Sequence, residues 1–362
     1  MKPADASGRG KRVLVGLSGG VDSSVAALLL LEQGRDVAGV MMSVYDGPPG
    51  ASNGNACYDC AEERDIESAA SLARHLSIPF RVLDCTQHYK REVLDYFRAS
   101  YLAGKTPNPC IRCNRRLKFE FLPALAESKG LHHGFFATGH YARVEFSEEY
   151  GRFILRRALD ETRDQSYFLY RLEQAQLERT IFPLGAMRKT EVRALARERG
   201  LSMHDRADSQ DFYSGNYTEL LKVAARPGKI VDGKGKILGK HAGFWNFTPG
   251  QRRGLGIAAA EPLYVLRVNA ARNEVVVGDR DAGLSRNCLL EDIHIGLPRL
   301  LYDRPLEARM RSSQKPFSVQ VAPGREQNTL VAEFAVAQHG VAPGQSMVLY
   351  LGDIVVGGGI IR

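Results

Sequence analysis

Apolar and polar positions along the first half of the chain follow two periods in turn. Residues 11–17 (KRVLVGL) form a short β-branched run, a Gly-rich turn follows, and residues 23–33 continue as a strongly apolar helix closed by Gly34. Residues 36–43 read as a second strand, and 46–55, rich in Gly, Pro, Asn and Ser, as a loop. Helical spacing at 63–76, a strand at 80–84, helices at 92–103 and 116–129, and a strand at 134–138 extend the pattern. This alternation predicts an α/β fold with a doubly wound parallel sheet, whose active groups collect at the carboxyl ends of the strands. From about Arg206 the rhythm changes: Gly and Pro become frequent, and short strands such as 274–277 and 347–351 replace helices. The expected division is an α/β domain over 1–205, a small central domain over 206–280 and an all-β domain over 281–362.

Composition narrows the class. The chain has 362 residues, 44% hydrophobic and 25% charged, enough for two or three cores and inconsistent with disorder throughout. Its 49 Lys and Arg against 41 Asp and Glu leave a net charge of +8, which favours a polyanionic partner. The first twelve residues carry charge but no apolar signal region, and the longest apolar run, near 26–31, falls far short of the roughly twenty residues a membrane span needs. A cytosolic protein with no membrane partner is expected. Six cysteines then read as reduced thiols, used for metal, sulfur or redox chemistry or simply buried.

The strongest local signal is Ser18-Gly19-Gly20-Val21-Asp22-Ser23, between a strand and a helix. Adjacent glycines permit positive φ and close backbone approach, and the first amides of the helix present unpaired donors to an anion. The loop is therefore read as a phosphate cradle. It lacks the Lys of a Walker loop, and the later stretch 233–240 fails that pattern in spacing and final residue, so that stretch reads as a β-turn.

Residues 18–23 match the SGGVDS signature of the PP-loop ATP pyrophosphatases, which cleave ATP between the α and β phosphates to adenylate a substrate. Further matches are Thr106-Pro-Asn-Pro-Cys-Ile-Arg-Cys113-Asn114, Ala137-Thr-Gly-His-Tyr141, Asp164-Gln-Ser-Tyr-Phe-Leu-Tyr170, Thr248-Pro-Gly-Gln-Arg-Arg-Gly-Leu-Gly256, Pro343-Gly-Gln-Ser346 and Gly357-Gly-Gly-Ile-Ile361. Together, and in order, they resemble the bacterial tRNA-specific 2-thiouridylase family along nearly the whole chain. The resemblance implies a PP-loop nucleotide domain, a small central domain and a carboxyl-terminal β-barrel that helps hold tRNA. It implies ATP and Mg2+ as reactants, adenylation of the C2 oxygen of uridine 34 in the anticodon, attack by sulfur, and release of AMP. Carried over by position, Gly16, Leu17, Ser18, Gly19, Gly20, Val21, Asp22, Ser23, Met42 and Gly139 line the ATP site, Asp22 having a catalytic part. Asn108, Pro109 and Cys110 approach the target base, and His140, Arg163, Asp164, Gln165, Arg309, Met310 and Gln345 occupy tRNA-contact positions.

Each position also has a plainer reading. His140, just after a strand, fits a hydrogen-bonded structural histidine equally well, and Arg112, Arg115, Arg116 and Lys118 fit either a solvated face or a path for the anticodon backbone. Tyr167, Phe168 and Tyr170 read as a core stripe more than as a base-stacking platform.

The family divides its sulfur chemistry between a nucleophilic cysteine in the Asn-Pro-x-x-x-Cys-Asn segment and a persulfide-carrying cysteine in a later Asp-Ser-x-x-x-Cys-Phe segment. Cys113 fits the first. The second segment is here Asp208-Ser-Gln-Asp-Phe-Tyr213, with no cysteine. Two C-x-x-C pairs, Cys57/Cys60 and Cys110/Cys113, stand in contrast to that loss. Three readings stay open: an iron–sulfur cluster such as [4Fe-4S] on three cysteines, with one open iron that binds and delivers hydrosulfide; a four-thiolate structural Zn2+ site; or unligated thiols in which another cysteine, Cys110 or Cys60, replaces the missing partner. Cys110 joins Cys113 as a candidate catalytic thiol, while Cys85 and Cys288 read as buried small hydrophobes. The sulfur itself is expected from an upstream persulfide carrier or from sulfide. Rival functions are a PP-loop thiolase acting elsewhere on RNA and a degenerate paralogue that binds tRNA and ATP without moving sulfur.

Overall fold

The computed structural model describes residues 12–47, 56–201, 211–213, 215–300, 302 and 305–362. Most of the expected 46–55 loop and the Asp208-Ser-Gln part of the later motif lie outside the described residues. The chain divides into two compact units, one built from Met1–Val93, Cys110–Ser214 and Asp353–Val355, the other from Leu94–Pro109, Gly215–Gly352 and Val356–Arg362.

In the first unit, β1 (Val13–Gly16), α1 (Val21–Glu32), β2 (Val37–Ser43), β3 (Ala56–Tyr58), α2 (Glu62–His75) and β4 (Phe80–Asp84) follow one another. Then come α3 (Thr86–Tyr89), with α4 (Asp95–Leu102) in the other unit, α5 (Pro109–Cys113), α6 (Leu122–Ser128), β5 (Phe135–Thr138), β6 (Ala142–Ser147) and β7 (Arg152–Arg157). The unit continues with α7 (Gln174–Glu178), β8 (Thr180–Ile181), α8 (Lys189–Glu198) and β9 (Asp211–Tyr213).

The main sheet has the order β4-β2-β1-β5-β8, every pairing parallel. Its central strand is buried on both faces, with Val13, Leu14 and Val15 fully enclosed, which is why residues 11–17 read as a continuous apolar run instead of an alternating one. Helix α1 buries Val25, Ala26, Ala27 and Leu30 in the same core as Val192 and Ala196 of α8. The winding reverses between β1 and β5, which places the crevice at their carboxyl ends beside the Ser18 loop. Two elements were not legible as such. The helices expected at 92–103 and 116–129 are each split, with π-helical turns at Lys90–Leu94 and Asn114–Phe121 preceding α4 and α6. A small parallel pair, β3 with β9, aligns Ala56 with Asp211 and Tyr58 with Tyr213. The antiparallel β6–β7 hairpin places Arg156 opposite Ile354, and Arg143 and Arg156 both bond Asp353 at 2.7 Å.

In the second unit, α4 packs on α9 (Tyr217–Leu221) through an edge-on contact of Phe97 and Tyr217 at 5.2 Å. Strands β10 (Gly228–Val231), β11 (Ile237–His241), β12 (Tyr264–Asn269) and β13 (Glu274–Gly278) form a sheet of order β11-β10-β13-β12. The turn expected near 233–240 joins β10 to β11, its Lys234 and Lys236 amides donating to Asp232 Oδ1 at 2.9 Å. The all-β tail comprises β14 (Leu284–Ile295), β15 (Leu306–Arg309), β16 (Phe317–Pro323), β17 (Leu330–His339), β18 (Ser346–Leu351) and β19 (Ile354–Ile361). Their order β14-β17-β16-β15-β18-β19 closes into a barrel through β14–β19 pairing, which removes the free edges. The segment before Cys110 is anchored in this unit: the Thr106 amide donates to Pro343 O at 2.7 Å, and Lys105 pairs with Glu291 at 2.9 Å.

Tyr167 is completely buried and Tyr170 is 3% exposed, so the aromatic stripe is core at both positions. Tyr167→Ala is expected to destabilise the protein by about 3–5 kcal/mol, as for other buried aromatics. The measure is thermal unfolding, alongside tRNA binding of the folded fraction; weakened tRNA binding with unchanged stability would contradict the packing role.

Candidate active site

The Ser18 loop is organised by its own hydroxyls. Ser23 Oγ accepts from the Ser18 amide at 3.1 Å and donates to Gly20 O at 3.1 Å, and Ser24 Oγ donates to Gly20 O at 2.8 Å. Gly19 has φ +69°, a left-handed conformation that a side chain would strain. The turn thus enters α1 with Gly20 as its N-cap, the first helical amides facing the crevice. At Gly139, which follows β5, a Cβ would lie 2.6 Å from the Asp22 carbonyl carbon and 2.7 Å from the Ser23 nitrogen. No larger residue fits without moving the loop. Met42 stands partly exposed near the carboxyl end of β2, and Glu62 pins that strand end by accepting from Ser43 Oγ, Val44 N and Tyr45 N at 2.6–3.0 Å.

Asp22 is the charged member of the loop, and its partners come from distant sequence. Lys189 Nζ donates to both carboxylate oxygens at 2.8 Å, and Tyr141 OH donates to Oδ1 at 2.8 Å. Lys189 opens α8 and is 6% exposed. Sequence reading missed Lys189 because 167 positions separate it from Asp22, and a lysine at the start of a helix carries no local signal of its partner.

The second cluster surrounds Cys113, which ends α5 and precedes the π-helical turn Asn114–Phe121. Hydrogen bonding from i to i+5 in such a turn brings residues five apart onto one face, here Cys113 and Lys118. The turn is fixed by distant side chains: Gln176 Nε2 donates to the Arg115 and Phe119 carbonyls at 3.1 Å, and buried Asn114 donates to Phe168 O at 3.1 Å. Burial pushes the Cys113 thiol up to about 11, with Lys118 pulling the other way and Cys57 adding to the rise. Burial disfavours the Lys118 charge, but Cys113, Cys57 and Cys110 more than offset it, and its pKa moves up. Among the described residues no carboxylate pairs with Lys118. Tyr89 is held far above the ordinary phenol range by burial and by Cys113, Cys57, Cys110 and Tyr58. His140 accepts or donates at Thr138 Oγ1 over 2.7 Å, and burial, then Lys118, holds it well below the usual imidazole value, so it is neutral at physiological pH.

Several expected positions stand differently. The four-thiolate metal site of Cys57, Cys60, Cys110 and Cys113 is not assembled: among the described residues no group of three or more His, Cys, Asp or Glu side chains is arranged to hold a metal ion. The residues therefore do not fit the iron–sulfur or Zn2+ readings. Asp164 is buried, accepting from Ala158 N, Ser166 N and Ser166 Oγ at 3.0–3.2 Å, and Gln165 accepts from the Tyr141 amide at 2.9 Å, so both organise the loop after β7. Arg309 and Met310 are 6% and 1% exposed within the barrel unit, Arg309 lying over the Tyr350 ring at 5.5 Å. Arg163 is exposed, and Gln345 is partly exposed. Asn108 and Pro109 fall in the second unit and Cys110 in the first. The basic cluster is largely paired: Arg112 with Glu92 at 3.1 Å, Arg115 with Glu173 at 2.6 Å and Arg116 with Glu120 at 3.2 Å.

Three family models match successive stretches: "tRNA methyl transferase HUP domain" over 11–213, "tRNA methyl transferase PRC-barrel domain" over 220–279 and "Aminomethyltransferase beta-barrel domain" over 291–361. A tRNA-specific 2-thiouridylase MnmA of Endomicrobium trichonymphae is 43% identical over 358 residues, covering 97% of this chain and 98% of its own length. The MnmA of Methylorubrum extorquens is 44% identical over 365 residues, covering 97% and 93%. The chain belongs to the MnmA family. Among solved structures, a 4-thiouridine synthetase–RNA complex with bound ATP aligns at TM-score 0.33 and 20% identity, over 58% of this chain and 47% of that one. The expected PP-loop domain, central domain and barrel of MnmA proteins are thus all present in this chain, in that order.

In this MnmA-family chain the Lys118 cation lowers the cost of a Cys113 thiolate. Alkylation of Cys113 by iodoacetamide, followed by peptide mass spectrometry, is expected to rise with pH toward a midpoint near 11. In Lys118→Met the midpoint moves higher and the rate at pH 8 falls. An unchanged pH profile would show that Lys118 does not act on this thiol.

Proposed function

We propose that the protein is an ATP-dependent tRNA-uridine 2-sulfurtransferase that adenylates the C2 oxygen of uridine 34 and replaces it with sulfur, releasing AMP and pyrophosphate. The observation that carries this reading is identity of 40–44% over 96–97% of the chain with proteins named as tRNA-specific 2-thiouridylases. The family models' descriptions mention methyl transfer instead. The Ser18–Ser23 loop and a cysteine cluster near the Lys118 cation match adenylation followed by thiolation more closely.

The chemistry explains the two clusters. A carbonyl oxygen is a poor leaving group, and joining it to the α-phosphate turns it into the phosphate of AMP. The α1 amides and the Gly19–Gly20 turn receive phosphate charge, while Gly139 leaves room for the loop to lie against the end of β5. Mg2+ accompanying ATP would neutralise part of the triphosphate charge, and Asp22, whose carboxylate Lys189 now holds, would be the loop's ligand for it. Lys189 and Tyr141 fix the direction of that carboxylate. Cys113 supplies the thiolate, and sulfur comes from an external persulfide or from sulfide. The partly exposed Gln345, the exposed Arg163 and the surface arginines contribute contacts to tRNA.

Incubation with ATP, Mg2+, unmodified tRNA and a persulfide donor is expected to yield AMP, pyrophosphate and 2-thiouridine at position 34, read by nucleoside mass spectrometry. Asp22→Asn, which keeps the shape and one hydrogen bond, is expected to lower pyrophosphate release by about a hundredfold or more while tRNA binding persists. Release of ADP and phosphate by the wild type, or thiolation at another nucleotide, would overturn the assignment.

A further inference from the structure

Sulfur transfer to carbon sets a requirement on thiols that does not depend on any family. A cysteine cannot give its own Sγ without being destroyed, so the sulfur must ride as a second, sulfane atom on a carrier thiol. Once that atom bonds C2, the carrier remains linked to the product through an S–S bond. A second thiolate within reach must cut it.

Four cysteines in the first unit other than Cys113 compete for the carrier role. Cys85 lies within electrostatic reach of Cys113, but it is 1% exposed and burial pushes its thiol up to about 12. A macromolecular donor cannot reach it. Cys60 is partly accessible and lies within electrostatic reach of Tyr45. Cys110 shares α5 with Cys113, and both are only partly accessible. Cys57 differs from all three. It is exposed, and it acts electrostatically on Cys113, Lys118 and Tyr89.

The backbone explains how an exposed residue reaches that cluster. Cys57 is the middle residue of β3, and β3 is held against β9 with Ala56 opposite Asp211 and Tyr58 opposite Tyr213. Alternation along a strand sends Tyr58 to the opposite face from Cys57. Tyr58 is then buried, stacked on Tyr89 at 5.4 Å with rings 5° apart, against Tyr213 at 6.2 Å, and bonded through its hydroxyl to Asp46. This aromatic packing fastens the strand and leaves Cys57 outward, beside the segment whose cysteine position is occupied by Tyr213.

We propose that Cys57 is the sulfur-accepting carrier that works with Cys113, standing in for the thiol that the Asp211–Tyr213 strand lacks. The inference rests on the function proposed above. The Cys57 thiolate attacks the outer sulfur of a donor persulfide, forming Cys57–S–SH and releasing the donor thiolate. The terminal sulfur of that persulfide, deprotonated, attacks C2 of the adenylated uridine, the C2–O bond breaks and AMP leaves with the electron pair. The Cys113 thiolate then attacks Cys57 Sγ, the S–S bond to the product breaks, and its electron pair stays on the sulfur of 2-thiouridine. The resulting Cys57–Cys113 disulfide is reduced by an external dithiol. Lys118, facing Cys113, stabilises the attacking thiolate.

The test uses full-length protein with ATP, tRNA and a low-molecular-weight persulfide donor. Persulfide-selective labelling and peptide mass spectrometry should place sulfane sulfur on Cys57 in the wild type and in Cys113→Ser. Cys57→Ser should lose 2-thiouridine formation by about a hundredfold or more while still releasing pyrophosphate in a tRNA-dependent way. A single turnover without reductant should leave a Cys57–Cys113 disulfide in the wild type. Thiolation by Cys57→Ser at the wild-type rate, or sulfane sulfur found on Cys110 instead, would overturn the carrier assignment and leave the enzyme assignment standing. Wild-type protein that neither releases pyrophosphate nor thiolates tRNA would instead defeat the function on which the inference rests. Because Cys57 is exposed, its serine variant tests chemistry; matching thermal unfolding and retained pyrophosphate release confirm that it folds.

Discussion

The chemistry of the first unit turns on one partly exposed positive charge. Lys118 faces three thiols, and among the described residues no carboxylate neutralises it. An ammonium drawn out of bulk water is costly unless something anionic is close; Lys118 lowers the cost of a Cys113 thiolate, but burial outweighs it and the thiol is pushed up to about 11. Burial first, and then the same charge, keeps His140 neutral, which makes that histidine a hydrogen-bonding group instead of a second cation. None of this would hold in a regular α-helix, where positions five apart point away from each other. The π-helical turn puts Lys118 over Cys113, and Gln176 holds the turn open by bonding its carbonyls.

The phosphate loop is governed by a parallel constraint. A carboxylate in the first turn of α1 suits the helix dipole but repels a phosphate approaching the same amides. Asp22 is already bonded by Lys189 and Tyr141, so its field is offset before any nucleotide arrives. That arrangement couples α1, α8 and the segment after β5, and the reversal of strand order between β1 and β5 is what brings the three together. Gly139 is the contact point: with a Cβ at 2.6 Å from the Asp22 backbone, the loop and the strand end would have to separate.

How much of this was legible in the sequence depended on whether the cause was local. The parallel sheet, the Gly-rich turn and the all-β tail came from short-range period and turn chemistry, and β4 (Phe80–Asp84) matches its reading residue for residue. The π-helical turns did not, because apolar spacing near 3.6 tolerates one inserted residue without losing its stripe, and what stabilises the insertion is Gln176, some sixty positions away. Lys189, Tyr141 and Glu62 were missed for the same reason: each acts across the fold on a group with which it shares no motif. The resemblance recovered the motif residues, and the structure adds the packing roles that some of them have. Asp164 bonds the backbone of the loop after β7, and Arg309 and Met310 are buried in the second unit.

Cysteine spacing shows the limit of pattern most sharply. Two C-x-x-C pairs satisfy the spacing of a four-thiolate metal site, yet that spacing constrains only each pair, not the approach of one pair to the other. Here the pairs sit on dissimilar elements: Cys57 on a strand and Cys60 in the turn after it, Cys110 and Cys113 on a helix. A strand and a helix present their residues with different periods, so spacing within each pair does not fix how the two pairs meet. The outcome is an asymmetric group of thiols around a cation instead of a closed tetrahedron. Sulfur transfer needs thiols that are deprotonated and regenerated at each turnover, and in this group a nearby lysine lowers the cost of that deprotonation at Cys113.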